Sequence, residues 1–201
     1  MNIEKTINAL KKNNYEVNFF KTAEDAAQYL DSSLNDQYIG FGDSDTMLQM
    51  KLFDRIASHN KVVDPKHLAL GKTFNDTAIE CLTTEIFLTS VNALSESGEF
   101  VNIDATGNRV AGSLFGHKKV YFVVSTNKIT QTLEEAIWRA RNIAAPRNAM
   151  RLGLRTPCAI KGDRCYNCSS PDRICNGLVI YYKKMNDMDM EVILIDEELG
   201  F

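Results

Sequence analysis

The 201-residue chain has only four prolines, one tryptophan and three histidines, and no stretch is rich in Pro, Gly or Ser. Nothing reads as a linker, a low-complexity tract or an internal repeat, so one domain spanning residues 1–201 is expected. Long hydrophobic runs are missing as well. Val120–Val124 is among the longest, far short of the roughly 20 apolar residues a membrane helix needs. The opening Met1-Asn2-Ile3-Glu4-Lys5 lacks the charged-then-apolar order of a secretion signal, and a cytoplasmic protein is expected. A basic excess is also lacking. The net charge of −3 and pI of ≈ 5.7 speak against a nucleic-acid partner. His59, His67 and His117 are scattered and no patterned nucleophile stands near them. They read as surface or structural residues.

What the chain does have is an alternation of helical and strand patterns. Helices are expected over Ile3–Leu10, from Thr22 through Leu30, over Thr46–Ser58, over Asn75–Leu82 and from Thr132 through Ile143. Thr22 with Asp25, and Thr132 with Glu135, have the spacing of capping boxes. Strands are expected at Tyr15–Phe19, Tyr38–Phe41, Lys61–Val63, Ile86–Thr89, Glu99–Ile103, Lys119–Ser125, Leu178–Tyr182 and Glu191–Ile195. Such alternation implies an α/β fold with a mainly parallel sheet and helices on both faces. Ligands then bind beyond the C-terminal ends of the strands. Met185–Met190 reads as an exposed hairpin turn between the last two strands.

The cysteines carry the sharpest pattern. Cys81 stands alone on a helix and reads as a buried thiol, whereas Cys158, Cys165, Cys168 and Cys175 crowd into one turn-rich segment. In a reducing compartment such a cluster points to metal rather than to disulfides. Four thiolates suit either an iron–sulfur cluster, most readily a [4Fe-4S] cubane, or tetrahedral zinc. No Gly adjoins the Cys165–Cys168 pair, and Arg155, Lys161, Arg164 and Arg173 would offset cluster charge. Both features lean toward iron–sulfur.

Three loops suggest an anion-binding pocket. Gly40, Gly42, Ser44 and Thr46 join a strand to a helix, a junction that favours anions, although Asp43 and Asp45 oppose one. Ser97, Gly98, Asn102, Asp104, Thr106, Gly107, Asn108 and Arg109 flank another strand. The same residue types suit an oxygen-rich ligand and ordinary turns alike. Asn127 and Lys128 end the strongest strand, and Arg147 could clamp a carboxylate. A small anionic metabolite is the expected ligand.

The runs Ser90–Gly98, Asn102–Arg109, Asn127-Lys128 and Ala145–Ala149 resemble the LUD-domain (lactate-utilisation) family. The resemblance implies a three-layer α/β fold similar to ribose-phosphate isomerases, glucosamine-phosphate deaminases and CoA transferases. It further implies a part in the metabolism of lactate or related organic acids, within an iron–sulfur system that has an electron-transfer partner protein. By the same analogy the Gly40–Thr46 loop looks like a phosphate-binding turn, faced by Ser97-Gly98 and Asn102–Arg109. The family's small lactate-utilisation subunit has no four-cysteine tail, so residues 156–176 mark a subgroup. The alternative is a non-catalytic sensor or assembly subunit that binds a sugar phosphate or CoA-like ligand and holds structural zinc. A phosphosugar isomerase is disfavoured, because no acid/base pair of that kind is recognisable. Homo-oligomerisation is left open.

Overall fold

The run Lys119–Ser125 shows why the sequence makes a sheet buried on both faces. Val120, Phe122 and Val124 enter one apolar cluster while Tyr121 and Val123 enter another, as strand alternation requires. In the computed structural model, which describes residues 1–201, this strand lies inside a six-stranded parallel sheet. The strands are β1 (Glu16–Phe20), β2 (Tyr38–Phe41), β3 (Lys61–Val63), β4 (Ile86–Thr89), β7 (Lys119–Ser125) and β10 (Asp189–Ile195). Their order is β1-β10-β7-β4-β2-β3, and every pairing is parallel. The expected α/β fold, with helices on both faces of a mainly parallel sheet, is therefore present.

One face is covered by α2 (Ala23–Ser33), α3 (Asp45–Gln49) and α4 (Leu52–Ile56), through residues such as Leu30, Met47 and Ile56. The other face meets α1 (Ile3–Lys12) and α5 (Phe74–Cys81), through Leu10 and Cys81. Phe122 is fully buried there, with its ring 4.8 Å from Phe100 and 6.4 Å from Tyr15. Truncating a phenylalanine so placed costs about 3–5 kcal/mol.

A second sheet lies against this face and was not legible as such. It consists of β5 (Ala93–Ser95), β6 (Phe100–Asp104), β8 (Ile129–Thr130) and β9 (Gly177–Tyr181), in the order β8-β5-β6-β9. Ala93, Val101 and Ile103 pack its outer face against Ala136 and Ala140. Those alanines belong to α7 (Leu133–Arg139) and to the π-helical turn Ala140–Ala144 that follows it. The chain then continues as α8 (Ala145–Arg151), so the helix does not stop near Ile143. Pro146 is accommodated in the first turn of α8.

Two further expectations change. The helix over Thr46–Ser58 is two short helices, because Lys51 takes a left-handed conformation (φ 51°) that ends one before the next begins. The last two strands do not form a hairpin. β9 pairs antiparallel with β6, while β10 lies between β1 and β7 in the large sheet. Met188 and Met190 are buried in the core instead of lying on an exposed turn. No helix is long and apolar enough to cross a membrane.

Candidate functional site

Strands β2, β4 and β7 are neighbours, and the residues just beyond their C-terminal ends meet around one cavity of about 450 Å³. That volume is typical of small-molecule sites, which run from about 300 to 1,000 Å³. Ser44 and Thr46 follow β2, Ser90 and Asn92 follow β4, and Lys128 follows β7. The chain reverses direction across the sheet here, since β3 and β4 flank β2 on opposite sides. Such a switch point opens a crevice in α/β sheets. Asp104, Thr106, Asn108 and Arg109 form the facing wall, at the end of β6 and the start of α6 (Asn108–Leu114).

Lys128 is the centre of this cavity's chemistry. It is 3% exposed, and its Nζ donates to Thr46 Oγ1 at 2.8 Å and to Ser90 Oγ at 2.9 Å. No carboxylate lies within 4 Å of it. The other cations are matched: Lys66 pairs with Asp43 at 3.3 Å and Asp45 at 3.0 Å, Arg151 with Asp45 at 3.5 Å, and Arg109 with Asp104 at 3.8 Å. Burial first, and then the nearby Arg139 and Arg109, pull the Lys128 ammonium down to about 7, with Asp45 opposing. Burial conversely pushes the Asp43 carboxyl up, against the pull of Lys66.

The loops are held by hydrogen bonds that complete their backbones. Asn92 N–H donates to Asn102 Oδ1 at 3.1 Å, and Asn92 Oδ1 accepts from Ile103 N–H at 2.8 Å. Arg139 is buried without a carboxylate and donates to the carbonyls of Asn92 and Asn127. It ties the chain after β4 to the chain after β7. Burial, then the charge of Arg147, lowers its guanidinium to about 10.

Of the residues expected at a pocket, Ser44, Thr46, Asp104, Thr106, Asn108, Arg109 and Lys128 line this one. The others serve elsewhere. Gly40 and Gly42 are packing glycines, since a Cβ would lie 2.7 Å from Thr84 Oγ1 in the first case and from Thr89 Oγ1 in the second. Within the Gly40–Thr46 loop, Ser44 caps the short helix α3 and Asp43 and Asp45 hold Lys66. Gly98 sits with φ +91° against the backbone of Ala9 and Leu10, and the Ser97 hydroxyl donates to Glu99. Asn102 lies fully buried behind Asn92, and Gly107 is the left-handed cap of α6. Asn127 and Arg147 line a separate groove beside Arg139.

Sequence reasoning missed Lys66, Ser90, Asn92, Asn148 and Arg151 as pocket residues. Two of them share one face of α8. Ala144, Ala145, Asn148, Arg151 and Leu152 recur at helical spacing along the face that lines the cavity, and Arg147 lies off that face. His117 is structural as expected, stacked on Phe87 with its Nδ1 2.7 Å from the Thr84 carbonyl oxygen.

The LUD-domain family model matches residues 3–195. The chain belongs to the LUD-domain family. No curated protein matches it. Among solved structures, this LUD domain is similar to a DUF162 family protein from Deinococcus radiodurans. The two share 12% identity over 96% of this chain and 95% of that one, with a TM-score of 0.53. That likeness bears on the fold alone.

The LUD domain's cysteine segment does not gather its four sulfurs. All five thiols are unpaired, and no three His, Cys, Asp or Glu side chains come close enough to hold a metal ion. Local structure explains the spread. Cys158 is fixed in α9 (Pro157–Lys161), which starts at the cap Thr156. Cys165 and Cys168 lie on a loop that turns at Asn167 (φ 47°), and Cys175 packs against the outer face of the small sheet. The cations expected to offset a cluster are engaged otherwise. Arg173 donates to the carbonyls of Cys168 at 2.7 Å and Cys175 at 3.0 Å, Arg155 lies 3.7 Å from Asp172, and Lys161 and Arg164 sit over the Tyr166 ring. As arranged, the four residues fit neither a cubane cluster nor a tetrahedral zinc.

Proposed function

We propose that this LUD domain binds a small organic acid, lactate or a related 2-hydroxy or 2-oxo acid, at the C-terminal ends of β2, β4 and β7. One observation carries the reading: Lys128 is a buried cation facing a cavity with no carboxylate partner. A buried charge is costly unless it is paired. A ligand carboxylate would supply the pair, with Arg109 beside it. Asn92, Asn148, Ser44 and Ser90 would orient the hydroxyl or carbonyl oxygen of the same ligand.

The family's association with organic-acid metabolism supports this choice of ligand class. The spacing of Cys158, Cys165, Cys168 and Cys175 supports a metal site and an iron–sulfur partner, but the arrangement of the sulfurs does not. The reading therefore takes no step through a metal.

Thermal shift with L-lactate, pyruvate, ribose 5-phosphate and CoA tests the proposal, because a ligand of the native state raises its melting temperature. A rise with the small acids, lost in Lys128→Met, is expected. A response to CoA or ribose 5-phosphate alone would replace the small acid with a larger phosphorylated ligand. No response to any of them would remove the pocket from metabolite binding.

A further inference from the structure

An amine that attacks a carbonyl must be uncharged for part of the time, reachable from a cavity, and flanked by groups that carry protons. Lysines with these properties are the ones that form Schiff bases. Lys128 lies in a cavity-lining position with its nitrogen bound only to hydroxyls, Thr46 Oγ1 at 2.8 Å and Ser90 Oγ at 2.9 Å. A hydroxyl both accepts and donates, so either can take a proton from nitrogen and pass one to a departing oxygen. A carboxylate in the same place would have locked the ammonium in its charged form, and there is none.

The remaining surroundings act in the same direction. The charged groups that act on Lys128 are Arg139 from α7, Arg109 from α6 and Asp45 from α3. Two cations and burial hold the amine's proton loosely, and one carboxylate opposes them. Segment Leu199–Phe201 closes the site from above. A Cβ on Gly200 would come within 3.2 Å of Lys128 Nζ, Phe201 lines the cavity, and Leu199 is buried with its N–H donating to Ser125 Oγ. The segment therefore covers one side of the nitrogen of Lys128, a residue that is 3% exposed.

We propose that Lys128 adds to the carbonyl of a small 2-oxo acid held in this cavity and forms an imine with it. The inference rests on the organic-acid reading and names a chemical step at the same site. In the first half, Lys128 Nζ forms a bond to the carbonyl carbon, the π pair moves to oxygen, and the nitrogen gives up one proton as the oxygen takes one. The product is a carbinolamine. In the second half, the oxygen takes a further proton and leaves as water, the nitrogen lone pair forms C=N as the C–O bond breaks, and the nitrogen gives up its second proton. Thr46 and Ser90 are placed to relay both protons. The acid's carboxylate, drawn in by Lys128, would rest on Arg109 during the step, which leaves the amine free to give up its proton. No oxidant or reductant enters the step. A 2-hydroxy acid has no carbonyl to attack, so it would occupy the site only as a competitor.

Borohydride reduces an imine to a stable secondary amine, which makes the step visible. The LUD domain would be incubated with pyruvate and borohydride, digested and mapped by mass spectrometry, with melting temperature measured in pyruvate alone. The expected result is an adduct at Lys128 with the mass of one pyruvate less one oxygen atom. It should be suppressed by excess L-lactate and absent from Lys128→Met. A rise in melting temperature with no adduct at Lys128, or with adducts only on exposed lysines such as Lys11 and Lys21, would overturn the imine and leave the pocket standing. Neither adduct nor thermal shift would overturn both. Because the mapping is done on the unaltered chain, a Lys128→Met variant that fails to fold does not blunt the test.

Discussion

Lys119 and Lys128 stand at the two ends of β7 and meet opposite electrostatic surroundings. Lys119 lies 2.6 Å from the carboxylate of Glu191 and 2.9 Å from that of Glu16, whereas Lys128 has only hydroxyl partners. Burial lowers both lysines. At Lys119 the hydrogen bonds to Glu191 and Glu16 outweigh it and the net displacement is upward, while at Lys128 nothing does and the ammonium falls to about 7. The end that holds the sheet together is paired, and the end that faces the cavity is left open.

That open end makes stability depend on pH in a definite sense. The unfolded chain keeps the Lys128 proton up to about pH 10.4, but the folded chain releases it near 7. Between those values the unfolded state binds more protons, so stability rises with pH across the window. Below about 7 both states are charged and the cost of burial is felt in full. Lys128→Met removes this cost, so the variant should gain most over the parent at pH 6 and progressively less toward pH 9.5. Urea midpoints at the two pH values check it, and parallel shifts would contradict it.

The paired end predicts the reverse kind of effect. Glu191 is 1% exposed and also accepts from Asn18 Nδ2 and Tyr29 Oη, each at 2.8 Å. Glu191→Ala would leave Lys119 with Glu16 alone and take the shared acceptor from a polar amide and a phenol beside the sheet. Breaking a buried pair costs about 3–5 kcal/mol, and the partial exposure of Lys119 places this one toward the lower end. Equilibrium denaturation would show it. A loss well under 1 kcal/mol would mean that water replaces the carboxylate.

In the sequence Arg147 is the candidate carboxylate clamp and Arg109 a member of a facing loop, and the structure exchanges their places. Arg109 lines the cavity, and Arg147 lines the neighbouring groove. Arg109→Met is expected to weaken pyruvate or lactate binding about tenfold or more, equivalent to ~1.5–3 kcal/mol for a charge-assisted hydrogen bond. Arg147→Met should leave affinity nearly unchanged. Isothermal titration of both variants decides. Equal losses would place the ligand across both sites.

The reason for that confusion is a general limit on reading this sequence. Strong periodic signals survived: the buried run Lys119–Ser125, the caps at Thr22 and Thr132, and the alternation that yields a parallel sheet. They report local chemistry, which is why they were legible. Missed features depend on tertiary context. Ala93–Ser95 and Ile129–Thr130 are too short to show a period and become strands only by pairing within the small sheet. The π-helical turn at Ala140–Ala144 shifts the phase of α8, so the face turned to the cavity cannot be read from Thr132 onward. Lys66 reaches the site from the loop after β3, at a distance no spacing rule encodes.

Gly40 illustrates the same limit and can be tested directly. It looked like a phosphate-loop glycine, yet its φ is ordinary and its Cα faces α5. A Cβ there would lie 2.8 Å from the Cys81 carbonyl oxygen, which is backbone and cannot swing away. Gly40→Ala should therefore destabilise the fold by about 1–3 kcal/mol through overpacking. Ligand affinity measured well below the melting temperature should stay the same. Weakened binding with full stability would return Gly40 to the pocket.

The cysteines divide by environment, and their reactivity should follow. Cys81 is 2% exposed, its Sγ donates to the Val63 carbonyl at 3.3 Å, and burial pushes its thiol up to about 12. The thiolate is the reactive form. Iodoacetamide at neutral pH should therefore spare Cys81 until the chain unfolds. Cys158, Cys165, Cys168 and Cys175 are only partly buried and should label first, each at its own rate because their sulfurs share no centre. Repeating the labelling after anaerobic incubation with zinc, or with iron and sulfide, extends the measurement to the metal question. Unchanged rates are what the present arrangement predicts. Joint protection of all four would mean that segment 156–176 refolds around the metal. Ile174 lies in that segment and also lines the cavity, so such refolding would move a wall of the organic-acid site and should change pyruvate affinity in the same sample.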